Sequence, residues 1–223
     1  MARRTKEEAL ATRHGILDAA ELLFQRQGVS RTTLQDIAQA AGLTRGAIYW
    51  HFKDKADLFN AMMERATMPL EETMALSPSP GEDDDPLSFI RDRIMHALRI
   101  TASHEPTRRV FEIATHKVEY VDELLAVRDR HLLGRNECLA EVERELKSAM
   151  RRGLVRSDVP ARSIALGLHA MLDGLIHNWL LDPNAFDLVR VGRHALQAYE
   201  AGLRPQAAQA YPTKAARAVR AHA

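Results

Sequence analysis

The spacing of small and apolar residues between Leu34 and Ile48 restricts the fold of this 223-residue chain more than any other feature. If Leu34 is counted as the first position, Ala38 is the fifth, Gly42 the ninth and Ile48 the fifteenth. Two short helices that cross closely need a small residue at the crossing, and Ala38 meets that need. The turn between them needs a residue that tolerates positive φ, as Gly42 does. The spacing therefore predicts a helix-turn-helix with Ile48 facing inward.

The second helix of this motif is predicted to run from Thr44 to His51, and its first turn suits the major groove of DNA. Gly46 and Ala47 are small, so the helix backbone can approach base edges. Arg45 can pair with O6 and N7 of guanine, although the alternative is a solvated surface charge.

Polar groups around this helix are expected to bind phosphate. The polar tips of Tyr49 and His51 can reach phosphate oxygens. Lys55 and the N–H groups that open the next helix form a further predicted anion site. Thr33 and Thr44 are suitable N-caps of the two helices. The predicted DNA-binding residues are Thr33, Thr44, Arg45, Gly46, Ala47, Tyr49, His51 and Lys55.

The aromatic residues of TRGAIYWHF allow a second interpretation, a small core cluster. Phe52 is expected in the core and Trp50 in the core or at its rim, because large rings are usually buried on average. For Tyr49 and His51 we prefer phosphate contact.

The remaining chain also indicates helices, because strand formers are sparse and Ala, Leu, Arg and Glu are plentiful. Asp54 is a good N-cap for a long helix, which Pro69 should either kink or split. Further helices are predicted over 6–27, 87–103, 106–115, 118–152, 160–181 and 185–202, with an acidic, solvated loop over 77–86. The expected fold is all-α: a helix-turn-helix domain over 1–53, a helical ligand-binding and dimerisation domain over 54–203, and a basic, disordered tail over 204–223.

Charge is distributed unevenly along the chain. Residues 1–60 carry nine Lys and Arg against seven Asp and Glu, whereas residues 61–202 carry 18 against 23. Contact with a polyanion is therefore expected at the N-terminal end. The single cysteine and the absence of a secretion signal or a long apolar run favour a cytoplasmic protein.

The segment TTLQDIAQAAGLTRGAIYWHFKDKADLF resembles the DNA-binding segment of the TetR family of bacterial repressors, in particular the AcrR-like and TtgR-like group that controls multidrug efflux pumps. The resemblance extends more thinly to DPL at Asp85, TRR at Thr107, RRG at Arg151 and LDGLIHNWLLDP at 172–183. It implies three N-terminal helices for DNA, and six or more further helices for a ligand and a dimer partner.

By this resemblance, the last two helices form the dimer interface. Apolar stripes at helical spacing supply the candidate residues Ile164, Leu168, Met171, Leu175 and Trp179 on the penultimate helix, and Val189, Leu196 and Tyr199 on the last. The alternative is that these stripes pack only within one subunit.

The resemblance also implies a ligand cavity in the body of the protein. Helical phase selects a mostly apolar lining: Ala66, Leu70, Met74, Ile94, Ala97, Leu98, Thr101, Phe111, Ala114, Thr115, Cys138, Val142, His169, Leu172, Asp173 and Ile176. Asp173 would be a buried carboxylate that either meets a ligand cation or pairs with His169, and we favour the pairing. Cys138 is expected to be a core thiol, with a redox sensor as the alternative.

The expected function is ligand-responsive repression: a dimer binds a palindromic operator and apolar or amphipathic molecules release it. A ligand-independent DNA-binding regulator or activator is the alternative. No phosphate loop, GxSxG motif or trusted metal spacing is present in the sequence, so an enzyme, a cofactor and a metal are not expected.

Overall fold

The structure, a computed structural model, describes residues 6–76 and 85–205, and within those ranges it contains helices and no strands. The α-helices are α1 (Lys6–Gln27), α2 (Leu34–Ala40), α3 (Arg45–His51), α4 (Lys55–Leu76), α5 (Pro86–Ser103), α6 (Glu105–His116), α7 (Leu125–Arg151), α8 (Ala161–Leu181) and α9 (Leu188–Leu203), with a 3-10 turn at Asp122–Leu124. The all-α fold is thus confirmed. We call α1–α3 the head and α5–α9 the body, with α4 between them. The predicted acidic loop falls mostly, and the predicted tail almost wholly, outside the described residues.

The head folds around the predicted helix-turn-helix crossing. Ala38 and Ile48 have no solvent-accessible surface, and Leu43 N donates to the carbonyl of Ala38 at 2.8 Å. Gly42 has a φ of +68°, which an L side chain rarely adopts, so glycine is required in this turn. These contacts confirm the crossing predicted from the residue spacing.

Helix α4 begins at a reciprocal cap. The backbone N–H of Asp57 donates to Asp54 Oδ1 at 2.8 Å, and the N–H of Lys53 donates to Asp57 Oδ2 at 3.0 Å. The helix then continues through Pro69 to Leu76. Of the two outcomes predicted for Pro69, a split into two helices is therefore wrong.

The body has its own apolar core, in which helices approach closely. Leu98, Leu146 and Leu196 are fully or almost fully buried in it. A Cβ added at Gly192 of α9 would collide with the side chain of Leu98 on α5, so a larger residue there would push the two helices apart. The predicted helix over 118–152 begins later than expected, because residues before α7 form the 3-10 turn.

The head and the body share packing rather than meeting at a thin linker. Val110, Ile113 and Leu124 of the body are buried in the same apolar cluster as the head residues Phe24 and Ile37. Movement of α6 against the head would therefore disturb a packed core, not a solvated hinge.

Candidate functional site

The exposed face of α3 carries the predicted DNA-reading residues. Ile48 is buried beneath it, while Arg45 and Gly46 are exposed and Ala47 is partly exposed. Tyr49 has 47% of its surface accessible, and the Arg45 guanidinium carbon lies 5.7 Å from the centre of its ring. A cation and a phenol thus lie together on an exposed helix face, and the neighbouring Gly46 and Ala47 add little steric bulk to it.

The two threonines differ in the hydrogen bonds they still have to offer. The Thr33 hydroxyl donates to Asp36 Oδ2 at 2.7 Å and accepts from the N–H of Asp36, so its proton is already engaged. The backbone N–H of Thr33 also donates to Asp36 Oδ2 at 2.9 Å, and this bond, followed by that of the Thr33 hydroxyl, holds the pKa of Asp36 below its usual range. The Thr44 hydroxyl only accepts, from the N–H of Ala47 at 3.3 Å. Both caps are confirmed, and Thr44 is the better placed to donate to phosphate.

The aromatic residues at the end of α3 divide between surface and core. Phe52 is 1% exposed and lies in the head core, as predicted, with the Arg13 guanidinium carbon 4.9 Å from its ring centre. Trp50 is 76% exposed, so its prediction as core or rim is wrong. Its ring meets that of His51 edge to face, with 5.0 Å between centroids. Trp50 follows the buried Ile48 by two residues. A helix turns by about 200° over two residues, so Trp50 faces solvent.

Lys55 requires a correction. Its Nζ donates to the carbonyls of Val29 and Thr32, both at 3.0 Å, and lies 2.6 Å from Glu123 Oε1. Only 8% of its side chain is exposed. The ammonium is therefore buried and hydrogen-bonded to backbone carbonyls of the loop before α2. It is not available to bind phosphate. The Asp54–Asp57 cap also places carboxylates where the anion site was expected.

Inside the body, four side-chain nitrogens are buried without a hydrogen-bond partner: His96 Nε2, His116 Nε2, Arg135 Nε and His169 Nε2. Each belongs to a different helix, α5, α6, α7 and α8 respectively. Sequence reasoning found only His169, because the selection sought apolar positions and passed over polar residues on the same faces. Buried polar groups without partners are uncommon, and a bound water or ligand is one of the explanations for them.

The predicted ligand-lining residues fall into three groups. Ala97, Phe111, Ala114, Thr115, Cys138, Val142, His169, Leu172, Asp173 and Ile176 keep accessible surface, so a ligand could touch them. Ala66, Ile94, Leu98 and Thr101 are buried against protein and are not available as a lining, which corrects their prediction. The side chains of Leu70 and Met74 lie outside the described ones. The error on α5 is one of phase: Leu98 packs toward α9, whereas Arg93 and His96 occupy the other face.

Asp173 is not the buried carboxylate that was expected. Its side chain is 58% exposed, and Oδ2 lies 3.2 Å from His169 Nε2, one helical turn away. The favoured pairing with His169 is confirmed as a contact. That contact lacks the alignment of a hydrogen bond, so Nε2 of His169 still counts as unpartnered.

Cys138 is exposed, so its prediction as a core thiol is wrong. Desolvation by neighbouring protein atoms nevertheless raises the pKa of its thiol, with smaller effects from the charges of Arg93, Glu141 and Asp173.

The predicted dimer stripes pack mainly within one subunit. Ile164, Leu168, Trp179 and Leu196 are between 1% and 6% exposed, and the Tyr199 hydroxyl donates to the carbonyl of Ile164 at 3.1 Å. Met171, Leu175, Val189 and Tyr199 pack around the same cluster. These apolar stripes join α8 to its neighbours in the body, so the alternative of packing within a subunit is correct for the four buried residues.

A different face of α8 remains uncovered. Leu166 is 45% exposed and Leu181 63% exposed, and Ala170 between them is also exposed. Within the described residues α8 is the one helix long and apolar enough to cross a membrane by length and composition, a property that apolar helices of other proteins share. The face that carries these two leucines is the candidate interaction surface of α8.

A helix-turn-helix head with an exposed face on α3, joined by one long helix to a helical body that holds unpartnered polar nitrogens, is the architecture of a DNA-binding regulator with a separate effector domain. Comparison with known proteins agrees. The family model "Bacterial regulatory proteins, tetR family" matches residues 16–62, and "MAATS-type transcriptional repressor, C-terminal region" matches residues 85–201. The chain belongs to the TetR family of bacterial transcriptional regulators.

Named relatives lie within the efflux-regulator group of that family. The transcriptional regulator AcrR of Shigella flexneri is 42% identical over 196 residues, covering 86% of this chain and 89% of AcrR. NalD, the secondary repressor of the MexAB-OprM multidrug efflux pump in Pseudomonas aeruginosa, superposes with a TM-score of 0.81 at 34% identity, covering 90% of this chain and 100% of NalD. SmeT of Stenotrophomonas maltophilia in a complex with triclosan gives 0.75 at 33% identity, covering 88% and 93%.

Proposed function

We propose that this protein is a cytoplasmic, dimeric repressor of a multidrug efflux operon, and that a small molecule bound in the body releases it from its operator. The observation that carries the proposal is the pairing of the exposed reading face on α3 with unpartnered polar nitrogens inside the body of the same chain. Repression and efflux control come from the relatives, whose names include repressors of multidrug efflux pumps.

Operator binding is assigned to the first turn of α3. Arg45 reads a guanine edge, because its guanidinium is exposed and its neighbour Gly46 offers no steric obstacle. Tyr49 and the Thr44 hydroxyl hold phosphate and so fix register without reading sequence. His51 stays a proposed phosphate contact, and so does the backbone around Thr33, whose hydroxyl is engaged with Asp36.

Dimerisation is assigned to the uncovered face of α8 against a second copy of the chain. TetR-family repressors act as dimers, and a palindromic operator needs a symmetric reader. Ala170 follows Leu166 by four residues and Leu181 follows Ala170 by eleven on this face, which continues past Gly174, where an added Cβ would meet nothing in this chain. In the DNA-bound state the two α3 helices would lie about 34–36 Å apart, one turn of DNA.

Coupling between ligand and DNA is assigned to the contacts of α6 and α4. The Thr107 hydroxyl on α6 donates to the carbonyl of Ala66 on α4 at 2.7 Å, one turn before Pro69. Arg109 on α6 lies 3.8 Å from the buried carboxylate of Glu21 on α1, which Arg65 of α4 also contacts. A ligand that moves α6 therefore pulls on both the linking helix and the head.

Release from DNA requires a minimum difference in ligand binding free energy between the two states. To change the DNA-competent population from 99% to 1%, a ligand must prefer the released state by about 5.5 kcal/mol. A ligand that binds both states equally would release nothing, however tightly it binds.

The test is a fluorescence-anisotropy titration of the purified protein on DNA upstream of its own gene and of neighbouring transporter genes, with and without a panel of amphipathic drugs. We expect nanomolar binding to a short palindrome and loss of binding with at least one drug. Binding that no member of the panel changes would favour the alternative, a ligand-independent regulator. Binding without preference for a palindrome would contradict both.

A further inference from the structure

Contacts between α6 and α8 and between α5 and α7 link the helices that carry the four unpartnered nitrogens in the body. The ring of His116 on α6 meets that of His177 on α8 edge to face, with 4.7 Å between centroids. His177, Asp173 and His169 follow one another at four-residue spacing, so they share one face of α8. The site therefore reaches from α6 along α8.

The same site extends to α7 and α5. Arg93 on α5 pairs with Glu141 on α7, and the charges of Arg93 and of Asp173 on α8 also affect the pKa of the Cys138 thiol on α7. Arg135 precedes Cys138 by three residues and His96 follows Arg93 by three, and this spacing places each pair on one helix face. The four nitrogens therefore lie on helices that are neighbours in the body, and we treat them as the polar lining of one candidate site.

The charges around this space are unequal. Arg93 is paired with Glu141, with Nη2 2.7 Å from Oε2, and Asp173 contacts His169. Arg135 donates from Nη2 to the Asn136 side chain at 3.1 Å, but within residues 6–76 and 85–205 no carboxylate pairs with it. Its buried Nε can only donate, whereas each histidine can donate or accept according to its tautomer. The polar demand of the site is consequently for an acceptor that carries negative charge.

The helices α6 and α8 also carry apolar residues that keep accessible surface. Phe111 of α6 and Leu172 and Ile176 of α8 are partly buried against the body core and keep accessible surface. A molecule that fills the space would meet rings and aliphatic groups over most of its area and donors at one end.

We propose that the effector bound in the body is an amphipathic acid whose carboxylate or phenolate oxygen accepts from Arg135 Nε while its apolar part lies against Phe111, Leu172 and Ile176. The proposal rests on the proposed ligand-responsive function and names the chemical class of its ligand. It departs from the expectation that Asp173 attracts a lipophilic cation, because Asp173 is exposed and already in contact with His169.

The test uses matched probes that share a body and differ in head group: 2-naphthoate, 2-naphthamide and 2-naphthylmethylammonium, and the same three groups on a decyl chain. Binding to the full-length protein is measured by calorimetry, and by protection of Cys138, the one cysteine, from alkylation. At least one acid should bind about tenfold or more tightly than its amide and its ammonium, since a charge-assisted hydrogen bond is the stronger kind.

Variants locate the acid. Arg135→Gln should weaken acid binding about tenfold or more and amide binding by a smaller factor, while Arg135→Lys should keep part of the preference for the acid. Arg144→Gln is the matched control, because Arg144 is exposed and lies nine residues further along α7, on the opposite face. It should change no affinity by more than about twofold.

Three results would overturn the acid class: an ammonium probe that binds as tightly as its acid, an acid that binds equally to Arg135→Gln, or no binding by any probe, which would leave water as the partner of these nitrogens. If ammonium probes release the operator and acids do not, ligand control stands and the acid class fails. If acids bind at Arg135 without changing operator affinity, the acid class stands and ligand control fails.

Discussion

The Nζ of Lys55 lies 2.6 Å from Oε1 of Glu123, so the first turn of α4 is ion-paired to the 3-10 turn that opens α7. The same Nζ holds the carbonyls of Val29 and Thr32 in the loop between α1 and α2. One buried ammonium therefore joins the head, the linking helix and the body. This gives Lys55 a role in holding the head at a fixed angle to the body.

Replacing Lys55 with Met should destabilise the protein. The change leaves the buried carbonyls of Val29 and Thr32 without a donor, and a buried polar group left unsatisfied costs about 1–3 kcal/mol, whereas the half-exposed Glu123 regains water. Chemical denaturation measures this loss. The salt dependence of operator binding should keep its slope, because Lys55 does not contact phosphate.

Lys53→Met is the control, since Lys53 is exposed two residues away. It should cost less than about 0.5 kcal/mol of stability. If Lys55→Met instead keeps full stability and lowers the salt slope by about one unit, the buried role of Lys55 is contradicted.

The contrast between Ile48 and Lys55 shows what sequence could predict. Ile48 lies in a motif whose spacing admits one geometry, so its burial and the positive φ of Gly42 followed from the residue types. Lys55 is a long side chain that can bury its ammonium wherever carbonyls are left unpaired. Those carbonyls come within reach of Lys55 only after the loop at Val29–Thr32 has folded against α4, and no local sequence pattern predicts this.

Helical phase was the second limit. Helix α8 has two apolar faces, one with Ile164 and Leu168 and one with Leu166 and Ala170. Only the packing of α8 on its neighbours decides which face is buried. On α5 the same ambiguity assigned Leu98 to the cavity and overlooked His96. An apolar helix that contacts neighbours on two sides carries too little polarity for periodicity to resolve its faces.

Leu166→Glu should dissociate the dimer. A carboxylate placed on the uncovered face of α8 would be buried without a partner in the dimer and solvated in the monomer. Sedimentation velocity measures the mass, and operator affinity should fall by orders of magnitude because one head reads only half a palindrome.

Two control variants test whether loss of the dimer is specific to the uncovered face of α8. Leu22→Glu has the same starting exposure, 45%, but lies on α1 and should leave the mass unchanged. Ile164→Ala should cost about 2–5 kcal/mol of stability through a cavity in the subunit core while the protein stays dimeric. A dimer that survives Leu166→Glu would place the interface elsewhere.

Arg45→Ala should relax the base preference of operator binding. Loss of a bidentate guanine contact costs about 1–3 kcal/mol and acts at one base position in each half-site. Selection from randomised DNA compares the variant with the native protein, and Arg128→Ala, on an exposed position of α7, is the control. Equal loss on every DNA sequence would make Arg45 a phosphate contact.

Cys138 should be alkylated slowly near neutral pH. Only the thiolate reacts, and because desolvation raises the pKa of Cys138, its thiolate fraction is below that of an ordinary cysteine. The iodoacetamide rate should rise with pH and reach half its maximum above about 8.5, the ordinary value. A midpoint below that value would show that the thiol is activated and would revive the redox sensor.

The central claim is that ligand binding in the body controls the affinity of the two heads for operator DNA. It is tested most directly by titrating one bound probe while following alkylation of Cys138 and anisotropy of labelled operator in the same solution. The account predicts that operator affinity falls over the same probe concentrations at which Cys138 becomes protected, and that Arg135→Gln shifts both curves together. Full protection of Cys138 with operator affinity unchanged within about twofold would contradict it.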